Sequence, residues 1–280
     1  MIPYIGGKYR QSKWMESFLP YKVEKYAEVF GGAMWFYIKS NVKPQISYYN
    51  DIDPLMVNLF SCFKMYEDFI NGIKDYPTYN NDVFQKMKKI IQSNAKKEIE
   101  IPNMEFAIAH VYVITHIFSG FTKDIWRPNL NMVKKRPSSA DYMNDHAVIK
   151  KLKDKNIRRK LDILQISCES FENFIYRVDR KDLFLYLDPP YWKTETHYRI
   201  GDFNKKDHEK LSLMLKNIKC KWMLSYYDFP ELNKWFPKDK YIWKRKSYMK
   251  ASGNVKKGFN KNPDEEVLIM NYEIDKNLHL

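Results

Sequence analysis

The stretch LYLDPPYW, residues 185–192, ends an apolar run on an acid, two prolines and two aromatic residues. Asp188 supplies a carboxylate. Pro189 and Pro190 have a fixed φ and no N–H, so their carbonyls can be aimed outward without a competing ladder bond. A carboxylate and a fixed carbonyl together make two acceptors, which suits an amino group carrying two protons. Tyr191 adds a ring on which a flat base can stack. The alternative is a Pro-Pro turn with a solvated aspartate cap, and the tetrapeptide alone does not separate the two readings.

The elements around it narrow the choice. LFLYL (183–187) reads as a buried strand, which puts Asp188 at a carboxyl end, where open α/β sheets bind ligands. EKYAEVFGG (24–32) reads as a short strand running into glycines, AMWFYIKS (33–40) as helix, and PQISYYND (44–51) as a second strand ending in an acid. That order is the signature of a βαβ nucleotide-binding unit. Gly31 and Gly32 let the backbone approach a ligand closely, and Asp51 stands where acids bond ribose hydroxyls, with a helix cap as its plain alternative. Phe30 and Phe171 are candidates to flank the ligand, with core packing as the competing reading.

Apolar spacing predicts a helix over 54–75, a basic amphipathic helix over 83–101, a buried helix over 103–120 and another basic helix over 146–162. The proline-broken stretch 121–142 reads as loop or hairpin. Strands are expected at 163–167, 183–187 and 221–228, a helix at 203–218, and a closing hairpin from 241–248 and 266–272. Near-continuous apolar strands suit a sheet covered on both faces. The expected fold is α/β and Rossmann-like, with a discontinuous catalytic domain (1–61 and 162–280) and an inserted, mostly helical target-recognition lobe (62–161).

The chain has 280 residues with 48 Lys+Arg against 34 Asp+Glu, a formal net charge of +14. Such a surplus attracts polyanions, nucleic acid first among them; a solvated lysine-rich surface is the other reading. Cys62, Cys168 and Cys220 stand far apart, and the histidines form no pattern, so no metal site or disulfide framework is expected. No apolar run approaches the ~20 residues of a membrane span, and the N-terminus lacks a signal-peptide core.

DPPY, with upstream PYIGGKYR (3–10) and EVFGGAM (28–34), resembles the Dam-like, alpha-group DNA N6-adenine methyltransferases. The resemblance runs from residue 3 to about residue 272, with the motifs in the family's order. It implies S-adenosylmethionine as methyl donor, S-adenosylhomocysteine as product and no metal. It assigns Asp188, Pro189, Pro190 and Tyr191 to catalysis. Its cofactor contacts fall on Tyr4, Ile5, Gly6, Gly7 and Lys8; on Phe30, Gly31, Gly32 and Ala33; on Asp51 and Ile52; and, in CESFENF (168–174), on Glu169, Ser170 and Phe171, with Asp188 as well. WKRKSYMKASGNVKKGFNKNPDEEVLIMNY (243–272) resembles the family's C-terminal hairpin, with an acidic pair before the last strand. The chain departs from the pattern at Met34, where the family has a second loop glycine. It also lacks the Asn-Gly turn and Arg-Tyr-Asn run of the GATC-reading members; FSGFTKDIWRPN (118–129) stands there instead.

The implied acceptor is N6 of an adenine flipped out of duplex DNA; RNA adenine-N6, DNA cytosine-N4 and a catalytically idle DNA-binding homologue are the alternatives. Base reading is expected from Ser119, Lys123, Arg127, Asn129 and Arg136 in the lobe, and contacts of the hairpin from Lys246, Ser247, Asn254 and Lys257, with its lysines on phosphate. The expected state is a monomer, or a dimer on DNA, in the cytoplasm of a bacterial or phage-infected cell. A cognate restriction endonuclease is the partner such a reading admits.

Overall fold

In a computed structural model of the chain, the described residues are 2–3, 7–93, 100–117, 131–132, 141–192, 203–248 and 264–274. They form a seven-stranded sheet: β1 (Lys25–Glu28), β2 (Ile46–Asn50), β3 (Leu164–Ser167), β4 (Leu183–Leu187), β5 (Lys221–Tyr226), β6 (Ile242–Tyr248) and β7 (Asp264–Met270). The strand order is β3-β2-β1-β4-β5-β7-β6. β1 to β5 are parallel neighbours, and β7 runs antiparallel to both β5 and β6.

The helices are α1 (Ser12–Glu16), α2 (Trp35–Lys39), α3 (Pro54–Lys64), α4 (Tyr66–Ile73), α5 (Asn81–Ser93), α6 (Met104–His116), α7 (Ala147–Leu152), α8 (Lys155–Asp162), α9 (Phe171–Val178), α10 (Lys205–Leu215) and α11 (Pro230–Trp235). The strands alternate faces with period two. On β4, Leu183, Leu185 and Leu187 enter one buried cluster with Phe174 of α9, Leu211 of α10 and Leu232 of α11. Phe184 and Tyr186 enter the other, with Phe36 of α2 and the helices between β2 and β3. Both faces are covered, which is why all five residues of β4 are buried and apolar or aromatic.

That second cluster runs without a break from Tyr26 and Tyr49 of the sheet to Phe84, Phe106, Val148 and Leu152 of the helices. The described part of 62–161 therefore shares its core with the sheet. Lys160 of α8 ties the two together: its ammonium donates to the carbonyls of Tyr37 and Ser40, each at 2.5 Å, at the C-terminal end of α2. Burial lowers the Lys160 ammonium to about 8.

Several helices are shorter than the apolar spacing suggests. The 54–75 run divides at Met65, whose backbone leaves the helical region (φ −89°, ψ 50°), and α4 restarts with Glu67 and Asp68 in its first turn, where acids favour a helix start. The 146–162 run divides at Asp154, whose carboxylate accepts from Asn156 N–H (2.8 Å) and Ile157 N–H (3.2 Å) and so caps α8. Among the described residues no helix is long and apolar enough to cross a membrane.

Candidate active site

β1 is flanked by β2 on one side and β4 on the other, so the chain order reverses at β1/β4 and leaves a crevice at the carboxyl ends of these strands. Glu28 is paired with Tyr186, and Val29 N–H donates to Tyr186 carbonyl at 3.2 Å. The loops that follow, Phe30–Met34 and Asp188–Tyr191, therefore leave the same end side by side.

The glycine loop is fixed by the end of β2. Gly31 N–H donates to Asn50 carbonyl (2.8 Å), and Tyr49 hydroxyl donates to Gly32 carbonyl (2.9 Å). A Cβ on Gly31 would stand 2.2 Å from the Tyr49 ring, so no side chain fits. Gly32 has φ 45°, a left-handed conformation that glycine adopts freely. Met34 also lies there, at φ 52° and ψ 34°, with its side chain buried. The chain thus keeps the left-handed turn with a residue that strains in it.

Asp51 closes the loop from below: its carboxylate accepts from Gly32 N–H (2.7 Å) and Asp53 N–H (2.8 Å). The helix cap belongs to Asp53, which accepts from Leu55 N–H at 2.9 Å. Asn50 braces the neighbouring loops, donating to the carbonyls of Val29 (3.1 Å) and Glu169 (3.0 Å) and accepting from Glu169 N–H (3.0 Å).

Asp188 lies just past β4 with its side chain about 20% exposed, 2.9 Å from the Lys8 ammonium. Lys8 is buried, lies 3.5 Å from a Glu266 carboxylate oxygen and stands 4.7 Å from the Tyr191 ring centroid. Tyr191 hydroxyl donates to Glu266 (2.5 Å) and is 2.7 Å from Ser225 hydroxyl, which also bonds Glu266. Burial pushes the Asp188 carboxyl up to about 6; the Lys8 ammonium pulls it back, and the Glu266 charge adds to the rise. Burial, reinforced by Asp188 and Glu266, keeps the Tyr191 phenol protonated well above its ordinary range. Under the glycine loop, burial raises Glu28 to about 8, although Tyr26 hydroxyl (2.7 Å) and Tyr37 N–H (3.1 Å) donate to it.

Aromatic rings wall the crevice. Phe30 lies 5.9 Å from Phe171 and 5.5 Å from Phe203, ring centroid to centroid. Trp192, after Tyr191, stacks on Phe229 at 5.3 Å with planes 6° apart.

The structure therefore gathers Lys8, Phe30, Gly31, Gly32, Asp51, Phe171, Asp188 and Tyr191 around one strand-end crevice. Some expected contacts have other partners here. Ser170 hydroxyl caps α9 by accepting from Asn173 N–H at 3.3 Å, and Glu169 pairs with Arg177 at 2.6 Å. Ile52 is exposed, Ala33 buried. Lys8 points to the acid pair, and the Tyr191 ring is buried against Tyr226 and Tyr227. Lys246 and Ser247 lie on the outermost strand β6, Lys246 with its ammonium 5.5 Å from the Trp14 ring centroid. Tyr4, Ile5, Gly6, Ser119, Lys123, Arg127, Asn129, Arg136, Asn254 and Lys257 lie outside the described residues.

Sequence reasoning missed Glu266, Ser225, Tyr49 and Asn50. Glu266 had a signal: an acid set directly before the apolar run Val267–Met270, in a strand that pairs on both sides. Ser225 similarly stands directly after the apolar run Trp222–Leu224.

A doubly wound sheet with an antiparallel penultimate position, a glycine loop after β1, an acid after β2 and DPPY after β4 defines a Rossmann-like methyltransferase. The family model of the D12 class N6 adenine-specific DNA methyltransferases matches residues 4–251, and the chain belongs to that family. It is also similar to the Type II methyltransferase M.FokI of Planomicrobium okeanokoites, at 24% identity over 301 residues. The match covers 97% of this chain and 42% of that relative, so the chain spans less than half of the relative's length.

Proposed function

We propose that the chain transfers a methyl group from S-adenosylmethionine to N6 of an adenine flipped out of duplex DNA. The observation that carries this reading is Asp188 at the carboxyl end of β4, in the same crevice as the glycine loop and the Asp51 carboxylate.

The residues fit a nucleoside cofactor. The loop at Gly31 and Gly32 presents bare backbone, since a Cβ at Gly31 is barred by Tyr49. Asp51, bonded to Gly32 N–H and Asp53 N–H just past β2, stands where acids accept from ribose hydroxyls. Phe30 and Phe171 offer ring faces to a flat base. When bound, S-adenosylmethionine supplies a methyl group on a sulfonium, a good leaving group.

The chain's own work is on the acceptor. An adenine amino nitrogen is a poor nucleophile because its lone pair is delocalised into the ring. Hydrogen bonds from that amino group to the Asp188 carboxylate and the Pro189 carbonyl draw the nitrogen toward sp³ geometry and stabilise the positive charge that grows on it. A carboxylate has room for about four hydrogen-bond donors, so Lys8 does not exhaust Asp188. With its proton affinity raised to about 6, Asp188 is matched to hold the departing amine proton near neutral pH. Tyr191, buried against Tyr226 and Tyr227, shapes the wall beside the base, and flipping that base costs a few kcal/mol.

The +14 net charge supports phosphate binding, with Lys246 on β6 in that role. Base reading is assigned to the 119–137 segment, including Arg127. The experiment is expression of the chain in cells whose DNA lacks adenine methylation, followed by methylation-sensitive long-read sequencing. Modified adenines in one short sequence motif are expected; modified cytosines, or none, would overturn the reading.

A further inference from the structure

Glu266 is a buried acid that the reaction as described does not use. It belongs to β7, two strands from the strand that carries Asp188. The register explains how it reaches the site. Leu187 of β4 is paired with Leu224 of β5, so Ser225 stands level with Asp188. Ser225 is in turn paired with Leu268 of β7, which makes Glu266 its diagonal neighbour on the same face. The Glu266 side chain is 1% exposed. A charge held there is costly unless it is paired and bonded. Its partners are the Tyr191 hydroxyl, the Ser225 hydroxyl and the Lys8 ammonium, all on the same oxygen. Two of these three, Tyr191 and Lys8, are the groups that border Asp188.

We propose that Glu266 is a positioning residue: it pins the Tyr191 ring and the Lys8 ammonium, and so fixes the wall and the local charge around Asp188. A tyrosine ring held only by packing can tilt, whereas a phenol bonded to a buried carboxylate on a strand paired on both sides cannot move without breaking that bond. Lys8 is shared between Glu266 and Asp188, so its ammonium stays within reach of both. Glu266 also lies close enough for its charge to raise the proton affinity of Asp188. Among the described residues, the charged and titratable groups that act on or near Asp188 include Lys8, Glu266, Tyr191, Tyr186 and Glu28. Removing the Glu266 charge must therefore leave a signature on Asp188 itself.

This role rests on the methyl-transfer reading, and two measurements on the full chain separate the two. The first needs no activity: the Asp188 carboxyl is titrated by carbon-13 NMR in the free protein. Glu266→Gln keeps the shape and removes the charge, so the Asp188 midpoint should fall by about half a unit or more, while Ser225→Ala should leave it nearly unmoved. The second is steady-state methylation of duplex DNA, in which Glu266→Gln should lower kcat about tenfold or more at near-parental cofactor KM. An unmoved Asp188 midpoint together with parental kcat overturns the role of Glu266 without touching the proposed reaction. Inactivity of the parent would instead remove that reaction while the titration still decides the coupling. Should Glu266→Gln not fold, Tyr191→Phe decides: a kcat loss of about tenfold is expected from an unpinned ring, and parental kcat overturns the proposal.

Discussion

Replacing Gly31 by alanine tests how the sheet shapes the cofactor loop. An added Cβ would lie 2.2 Å, 2.6 Å and 2.7 Å from three carbons of the Tyr49 ring. That ring cannot retreat: it is fully buried, stacked on Phe60 at 4.4 Å, and its hydroxyl donates to Gly32 carbonyl at 2.9 Å. Relief must come from moving the loop itself. Overpacking of this kind costs about 1–3 kcal/mol, and breaking the Tyr49–Gly32 bond adds about 1 kcal/mol. For a chain of this size that is a drop of several degrees in Tm, on the order of 2–4 °C per kcal/mol. The loop's backbone meets the ligand in the proposed cofactor site, so S-adenosylmethionine affinity should fall as well. Differential scanning calorimetry and titration calorimetry read the two effects. The smaller ring-free partner Tyr49→Leu, added to Gly31→Ala, should recover part of the loss, a coupling measured by a double-mutant cycle. A Gly31→Ala variant with parental Tm and parental cofactor affinity would refute the clash argument.

Met34 holds φ 52°, so Met34→Gly should be more stable than Met34→Ala by about 1 kcal/mol, the reverse of the usual order, as urea denaturation can show. Asp51→Ala strips the partner from Gly32 N–H and Asp53 N–H and should weaken S-adenosylmethionine binding by about 1–3 kcal/mol with little change in DNA affinity, read by calorimetry and a DNA-binding titration. The pH profile follows Asp188: its carboxylate must be ionised to accept, so kcat should fall as pH drops through about 6. The stability sign is opposite, because a folded-state value raised above the unfolded one stabilises below the unfolded pKa and is lost as pH rises through about 6. Asp188→Asn should then melt no lower than the parent at pH 8, where thermal unfolding checks it.

What the sequence made legible was local. The unbroken apolar run LFLYL, the glycines after the first strand and the acid after the second all report on neighbours a few residues away, and each leads to a strand end on the crevice. The helix breaks at Met65 and Asp154 were hidden because apolar spacing continues across them, while the cap at Asp154 competes only through its side chain. Glu266 stood in plain view as an acid before an apolar run, and what was hidden was its role. Its partners Lys8, Tyr191 and Ser225 are far away in sequence and meet it only through the β4-β5-β7 pairing, which no local pattern encodes. Met34 shows the converse: the departure from the family loop was visible in the sequence, and its backbone cost only in the structure.

In the proposed reaction Asp188 makes an adenine amino group reactive. The direct measurement is transfer of labelled methyl from S-adenosylmethionine to duplex DNA by purified parent and Asp188→Ala proteins. The DNA is then digested to nucleosides and analysed by mass spectrometry. The parent should yield N6-methyladenine and Asp188→Ala none above background, with both proteins binding the cofactor and melting cooperatively. Methylated cytosine in place of adenine, or parental turnover by Asp188→Ala, would contradict it.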